Sequence, residues 1–217
     1  MIFNKKCIST CIFNANKYLK TYLNIPKTIH ILNDDFDVVI YHDKSLTNTM
    51  KLELNKYHFI KLIEKETSIG RSGCFWRYEA YNDYNFIIFR DIDVGFQQQD
   101  LYIYNHFMNT KLDLFWVFLV HQRKPYPQQG FVMGGVFGMK KNDKIQDINL
   151  LIKDWQEKKG LHYYGSDEEF LSQIIYNLLH PMVYYEPRIR NVKLKNDYET
   201  YHMLPTNYNE KEWEPRD

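Results

Sequence analysis

Apolar positions in the first half of the chain fall in short continuous runs, and the stretches between them carry helical spacing. Cys7 to Phe13 is a strand-like run, Asp37 to Tyr41 reads Asp-Val-Val-Ile-Tyr, and His58 to Ile63 is a third. Short apolar runs bounded by polar segments mark buried strands. Between them, Asn16 to Leu23 predicts a short helix ending before Pro26, and Leu46 to Tyr57 a second helix. Arg71 to Tyr81 predicts a third helix, leading into the run Phe86-Ile87-Ile88-Phe89. Strands alternating with helices predict βα units, an α/β class and a mainly parallel central sheet flanked by helices.

The second half continues the pattern with one interruption. Asp100 to Met108 predicts a helix and Leu112 to Val120 a buried strand, followed by a Pro/Gln/Gly loop from Lys124 to Gly130. The next strand, Phe131 to Met139, contains Gly134 and Gly135, and paired glycines in a strand signal a close approach of backbone or ligand. Ile145, Ile148, Leu151, Ile152 and Trp155 form a helical core stripe. A helix opening at Gly165 turns Phe170, Leu171, Ile174, Ile175 and Leu178 inward and ends at His180-Pro181. Met182 to Tyr185 predicts a last strand, and the tail from Asn191 an irregular segment. No repeat or linker divides residues 1–217, so one domain is expected: a first half to about 95, a second to about 190, and the 191–217 tail.

The run after Asn85 ends in Arg90-Asp91-Ile92-Asp93. Continued as a strand, its period of two would place Asp91 and Asp93 on one face at the strand's exit. Two carboxylates so placed can hold a divalent cation beside a polyanion such as a diphosphate. Asp-x-Asp after a strand also suits turns and helix caps, so the pair alone decides nothing.

Composition narrows the alternatives. The 28 basic and 27 acidic residues balance, which leaves no electrostatic footprint for nucleic acid or an anionic membrane. No apolar stretch approaches the roughly 20 residues that span a bilayer, and the N-terminus lacks a secretory pattern, so a soluble cytoplasmic protein is expected. Three cysteines, Cys7, Cys11 and Cys74, cannot all pair internally and read as buried free thiols. Aromatic residues make up 17% of the chain; they suit sugar and nucleotide sites, but equally fill cores.

Four features stand in order along the chain: Trp76-Arg77, then Arg90-Asp91-Ile92-Asp93, then Gly134-Gly135-Val136-Phe137-Gly138, then Asp167-Glu168-Glu169-Phe170-Leu171. The set resembles the GT-A fold glycosyltransferases, enzymes that use nucleotide sugars and carry an Asp-x-Asp motif on a Rossmann-like half. Within them it is most similar to a small-domain group, and it also resembles the capsid-glycan transferases of large algal viruses. The likeness spans about residues 5–190 and departs from the group at Glu168, where Gln is usual.

That resemblance implies a site. Asp91 and Asp93 would hold Mn²⁺ or Mg²⁺ against the diphosphate of a UDP-sugar, with Asp93 the direct ligand, Asp91 at the ribose, metal-bound water or metal, and Ile92 between them. His202 would complete the metal set, with His180 second to it. Arg71 and Arg77 would reach the diphosphate, since a guanidinium fork suits phosphate oxygens; for both, a salt bridge to Glu79 or Asp83 is the plain alternative. Thr10 and Asp43 would meet base and ribose, and Gly134 and Gly135 would lie on the acceptor side. Asp167, in preference to Glu168, would deprotonate the acceptor hydroxyl for in-line attack with inversion; the same acids also suit a capped helix start behind Ser166. The implied activity is hexose transfer to a hydroxyl of a glycan or glycoprotein in the cytoplasm, from a virus-encoded protein in the narrower likeness.

Three other readings compete. A haloacid-dehalogenase-type phosphatase would use Asp91 as nucleophile, but that family expects the motif on its first core strand. A glycoside hydrolase needs two acids flanking a sugar bond. A sugar-binding module would keep the aspartates for a structural cation and show no turnover.

Overall fold

The computed structural model describes residues 5–66, 72–118, 135–159, 165–179, 181–185 and 200–203. Within them one sheet of eight strands runs in the order β3-β2-β1-β4-β6-β5-β7-β8. The strands are β1 (Lys6–Ile12), β2 (Asp37–His42), β3 (Ile60–Glu64), β4 (Phe86–Arg90), β5 (Leu114–Phe118), β6 (Val136–Lys140), β7 (Pro181–Tyr185) and β8 (Thr200–Met203). Neighbours pair in parallel except β6, which runs antiparallel to both β4 and β5. The expected mainly parallel α/β sheet is what the chain forms.

The continuous apolar runs of β1, β2 and β4 reflect burial on both faces. Along β1, Ile8 and Ile12 join a core with Ile25 of α1 (Asn24–Thr28) and with Ile103 and Phe107 of α3 (Gln98–Met108). Cys7 and Cys11 turn the other way, into a core with Phe75, Tyr78, Ile148 and Trp155 of α4 (Ile148–Lys159), and Phe170 of α5 (Ser166–Phe170). In that second layer Phe89 of β4 stacks on Phe137 of β6 at 4.5 Å between ring centroids, and Tyr78 meets Phe89 edge-on at 5.4 Å. These rings lie directly beneath the candidate site.

Several local expectations change. The segment 16–23 forms a 3-10 turn (Ala15–Tyr18), and Pro26 sits inside α1 rather than beyond a helix. At the third helical position its missing N–H would have had no intrahelical partner. The helix expected from 71 is a 3-10 helix, Ser72–Asn82. Two of its carbonyls are diverted to side chains: Cys74 accepts from Arg77 Nε at 3.2 Å, and Arg77 accepts from Ser9 Oγ at 2.6 Å. The second helix is shorter than expected, α2 (Asn48–Leu54), started by Thr47, whose Oγ1 accepts from Met50 N–H. After α5 the chain passes through a π turn (Leu171–Ile175) into α6 (Tyr176–Leu178). Within the tail expected to be irregular, Thr200–Met203 extends the sheet beside β7. The loop 124–130 lies outside the described residues. Among those described, no helix is long and apolar enough to cross a membrane.

Candidate active site

β1, β2 and β4 are parallel, so the turns after Ile12, His42 and Arg90 gather along one edge of the sheet. The carboxyl edge of such a sheet is where ligands settle in α/β folds. β6 enters this edge from the opposite direction, and its first residue, Val136, pairs with Arg90, so Gly135 falls beside Asp91. The sequence pattern of two apolar runs, one ending in acid and one opening in glycine, thus places a carboxylate against a bare Cα.

The contact is tight enough to require glycine. A Cβ built on Gly135 would lie 2.2 Å from Asp91 Oδ2 and 2.5 Å from its carboxyl carbon. Gly138 answers a different neighbour: its Cβ would lie 2.3 Å from the Phe115 ring. Gly134 lies outside the described residues.

Asp91 and Asp93 are not on the strand. β4 ends at Arg90, and Val94 N–H donates to Asp91 C=O at 3.1 Å, closing a turn over Asp91 to Val94. The turn, not a period of two, brings the carboxylates together, with Ile92 buried beneath them at 1% exposure. Arg90 fixes this turn from below. Its Nη1 and Nη2 donate to the two Asp100 oxygens at 2.9 and 3.2 Å, Nη2 also to Gly95 C=O at 2.7 Å, and Nε to Val94 C=O at 3.4 Å. From α1, Asn24 Nδ2 donates to Asp93 C=O at 2.7 Å, and Thr28 Oγ1 accepts from Phe96 N–H at 2.7 Å.

Arg77 is the hub. Its side chain is 5% exposed and bridges two acids: Nη1 donates to Asp91 Oδ1 at 2.6 Å, and Nη2 to Asp167 Oδ2 at 3.1 Å. The alternatives of Glu79 and Asp83 do not apply, since Glu79 pairs with Lys65 and Arg77 faces inward. Tyr78 OH donates to the same Asp167 oxygen at 3.2 Å while its ring fills the core. Asp167 is 8% exposed and Asp91 53%, so this chain of charges starts in the interior and ends in solvent. Burial opposes the charge on Arg77, but Asp91 and Asp167, with Cys11 and Tyr78, hold its proton more firmly than usual.

Electrostatics around the pair suits a cation. Burial, with the Asp91 charge beside it, pushes the Asp93 carboxyl above its ordinary value. Burial together with the nearby acids, Asp91 and Asp93 among them, likewise pushes up the Tyr18 hydroxyl. A hard divalent cation between two such carboxylates would relieve both effects, and oxygen donors suit Mg²⁺ or Mn²⁺. Among the described residues no three His, Cys, Asp or Glu side chains gather in one group.

The other expected residues are distributed as follows. Asp43 is buried, and its Oδ1 accepts from Ser45 N–H at 2.9 Å and from Ser45 Oγ, whose oxygen in turn accepts from Ala15 N–H at 2.8 Å. It therefore ties together the two loops after β1 and β2. Thr10 is fully buried, alternates with Ser9 on β1, and its Oγ1 has no partner among the described residues; it stands apart from the Arg77 cluster. His202 lies on β8, level with Tyr184, and β6, β5 and β7 separate it from β4. At ordinary strand spacing the β8 and β4 backbones are roughly 19 Å apart. Arg71 and His180 lie outside the described residues. Glu168 is partly exposed on α5, next to Asp167. Cys11 is buried as a free thiol, and burial pushes it up. Tyr78, Asn24 and Asp100 carry parts of the site that sequence reasoning missed. Only Tyr78 had a local signal, its place beside Arg77 in Trp76-Arg77-Tyr78.

No protein-family model matches the chain, and no curated sequence matches it. Solved structures do. Galactosyltransferase LgtC in complex with donor and acceptor sugar analogs superposes with a TM-score of 0.58 at 12% identity, over 84% of this chain and 76% of that one. Mannosyltransferase PcManGT from Pyrobaculum calidifontis, in complex with GDP-Man and Mn²⁺, gives 0.51 at 11% identity, over 94% of this chain and 58% of that one. The chain spans 53% of the S. aureus TarS structure, at a TM-score of 0.47 and 14% identity. At such identities the likeness speaks to architecture, and the architecture is the GT-A fold of these glycosyltransferases.

Proposed function

We propose that this protein is a metal-dependent glycosyltransferase that moves a hexose from a UDP-sugar to a hydroxyl of a glycan or glycoprotein acceptor. The observation that carries the reading is the turn Asp91 to Val94, which sets two carboxylates at the carboxyl edge of a GT-A sheet with Arg77 behind one and Gly135 against it. Asp93, free of that ion pair, is the direct metal ligand; Asp91, already shared with Arg77, orients the ribose or a bound water. Bound there, Mn²⁺ or Mg²⁺ supplies positive charge for the leaving diphosphate. Asn24 and Arg90 hold the backbone that aims both carboxylates. Arg71 remains our candidate for the diphosphate, Thr10 and Asp43 for the nucleoside side, and Gly134 with Gly135 for the acceptor side.

For the proton, Asp167 Oδ2 already accepts from Arg77 and Tyr78. We therefore assign deprotonation of the acceptor hydroxyl to Glu168, the more open neighbour, with inversion at the anomeric carbon. The narrower likeness makes a virus-encoded enzyme of the host cytoplasm our reading of origin.

A thermal-shift panel of nucleotide sugars with and without Mn²⁺ tests class and donor together, because a ligand that binds only the folded state raises its melting temperature. Stabilisation by a UDP-sugar only when Mn²⁺ is present is the expected result. Rapid phosphate release from phosphomonoesters, lost in Asp91→Asn, would instead establish the phosphatase reading. Binding of free glycan without UDP or turnover would establish a sugar-binding module.

A further inference from the structure

Asp91 and Asp167 are 76 positions apart in sequence, sit on a turn and on α5 respectively, and meet through a single side chain. Arg77 cannot follow either acid freely. Its Nε is committed to Cys74 C=O at 3.2 Å and its backbone carbonyl to Ser9 Oγ at 2.6 Å, so stem and head are both anchored. The guanidinium is a rigid planar fork. A fork with one nitrogen on each acid cannot tighten on one without loosening on the other. Asp91 is held from the far side as well, since the Cα of Gly135 blocks retreat of Oδ2. Asp91 is half exposed, whereas Asp167 is buried at the first turn of α5 beside Glu168.

From this geometry we propose that Arg77 is a positioning residue that couples cation binding at Asp91 and Asp93 to the placement of Asp167 and the start of α5. The inference rests on the metal-site reading given above. When Asp91 shares its charge with a cation, its claim on Arg77 weakens, and Arg77 leans toward Asp167, drawing Asp167 and Glu168 into one fixed position. Coupling of this kind is reciprocal, so a change at Asp167 must alter affinity at the aspartate pair. Asp167→Asn leaves the Arg77 charge to Asp91 alone, which strengthens its competition with the cation.

The test is a four-protein cycle on the full chain: wild type, Asp167→Asn, Arg77→Lys and the double variant, each titrated with Mn²⁺ in the presence of UDP by electron paramagnetic resonance. Asp167→Asn is expected to weaken Mn²⁺ binding about five- to tenfold, the lower range of measured couplings. In the Arg77→Lys background, where no fork joins the acids, the same change is expected to move affinity less than twofold. An equal effect in both backgrounds means the charge of Asp167 acts through space and overturns the proposal. So does an effect below twofold in the wild type. Failure of the wild type to bind Mn²⁺ at all removes the metal-site reading itself, a distinct outcome. Hydrogen exchange supplies a readout that needs no variant: Mn²⁺ with UDP is expected to slow exchange of the Ser166–Phe170 amides at least twofold, and unchanged exchange there contradicts the coupling even if Arg77→Lys does not fold.

Discussion

Among the described residues two arginines meet aspartates in the interior, and the difference between them separates scaffold from site. Arg90 and Asp100 form a closed pair: side chains 2% and 9% exposed, both carboxylate oxygens bound, and two further Arg90 donors taken by the Val94 and Gly95 carbonyls. Asp100 also caps α3 by accepting from Gln97 N–H. Arg77 sits equally deep, yet one of its two acids, Asp91, is 53% exposed. The same charge chemistry is inert where every partner atom is internal, and becomes a candidate for function where one carboxylate reaches solvent. The two sets adjoin, because Arg90 and Asp91 are consecutive residues: the closed pair holds the backbone on which the open one stands.

The sharpest way to break this contrast is at the closed pair. Asp100→Ala leaves Arg90 buried without its counter-charge, and loss of about 3–5 kcal/mol of folding stability is expected in urea titration. A loss comparable to that of an exposed pair would mean Arg90 finds other partners and is no scaffold. At the open set, Gly135→Ala pushes a methyl into Asp91. Overpacking of this sort costs about 1–3 kcal/mol of stability. Mn²⁺-dependent UDP affinity is expected to fall at least tenfold, measured by calorimetry. Unchanged affinity would show that Asp91 does not depend on the Gly135 contact.

The pH dependence sharpens the contrast further. Burial and Asp91 raise the Asp93 carboxyl above its unfolded value, so the unfolded chain releases that proton first as pH rises. In the metal-free protein Asp93 therefore removes stability as pH climbs through the raised value, and Asp93→Asn should flatten that part of a melting-temperature profile. Mn²⁺ binding should correspondingly fade on acidification at a higher pH than a free aspartate would dictate. The smallest effect is expected at Asn24→Ala, which removes one hydrogen bond to the Asp93 carbonyl, about 1 kcal/mol. A few-fold rise in the Mn²⁺ dissociation constant with a fall of only about 2–4 °C in melting temperature is the expected outcome. No change would leave Arg90 as the main holder of the turn.

Much of the fold was readable because its strands are continuous apolar runs with polar breaks; β1, β2 and β4 fall within a residue or two of their expected places. What escaped reading depended on distant partners. The period of two failed at Asp91 because the chain leaves the sheet after Arg90 and turns, a choice set by the Val94 amide and the buried Arg90 fork. Arg77 was visible as a motif residue, but its acids lie 14 and 90 positions away, beyond any helical spacing. Asn24 reaches Asp93 across 69 positions, and nothing in its neighbourhood marks it. Gly135 was marked as a close approach, and the partner proves to be Asp91 itself. The edge strand β8 was hidden in a polar tail, since an outer strand needs little apolar signal of its own.

The most direct test of the central claim is calorimetric titration of UDP into wild type and Asp93→Ala, each with and without Mn²⁺. The account predicts that the wild type binds UDP only with Mn²⁺ present and that Asp93→Ala, still folded by circular dichroism, does not bind in either condition. UDP binding by Asp93→Ala, with or without Mn²⁺, at an affinity like that of the wild type with Mn²⁺ would contradict it.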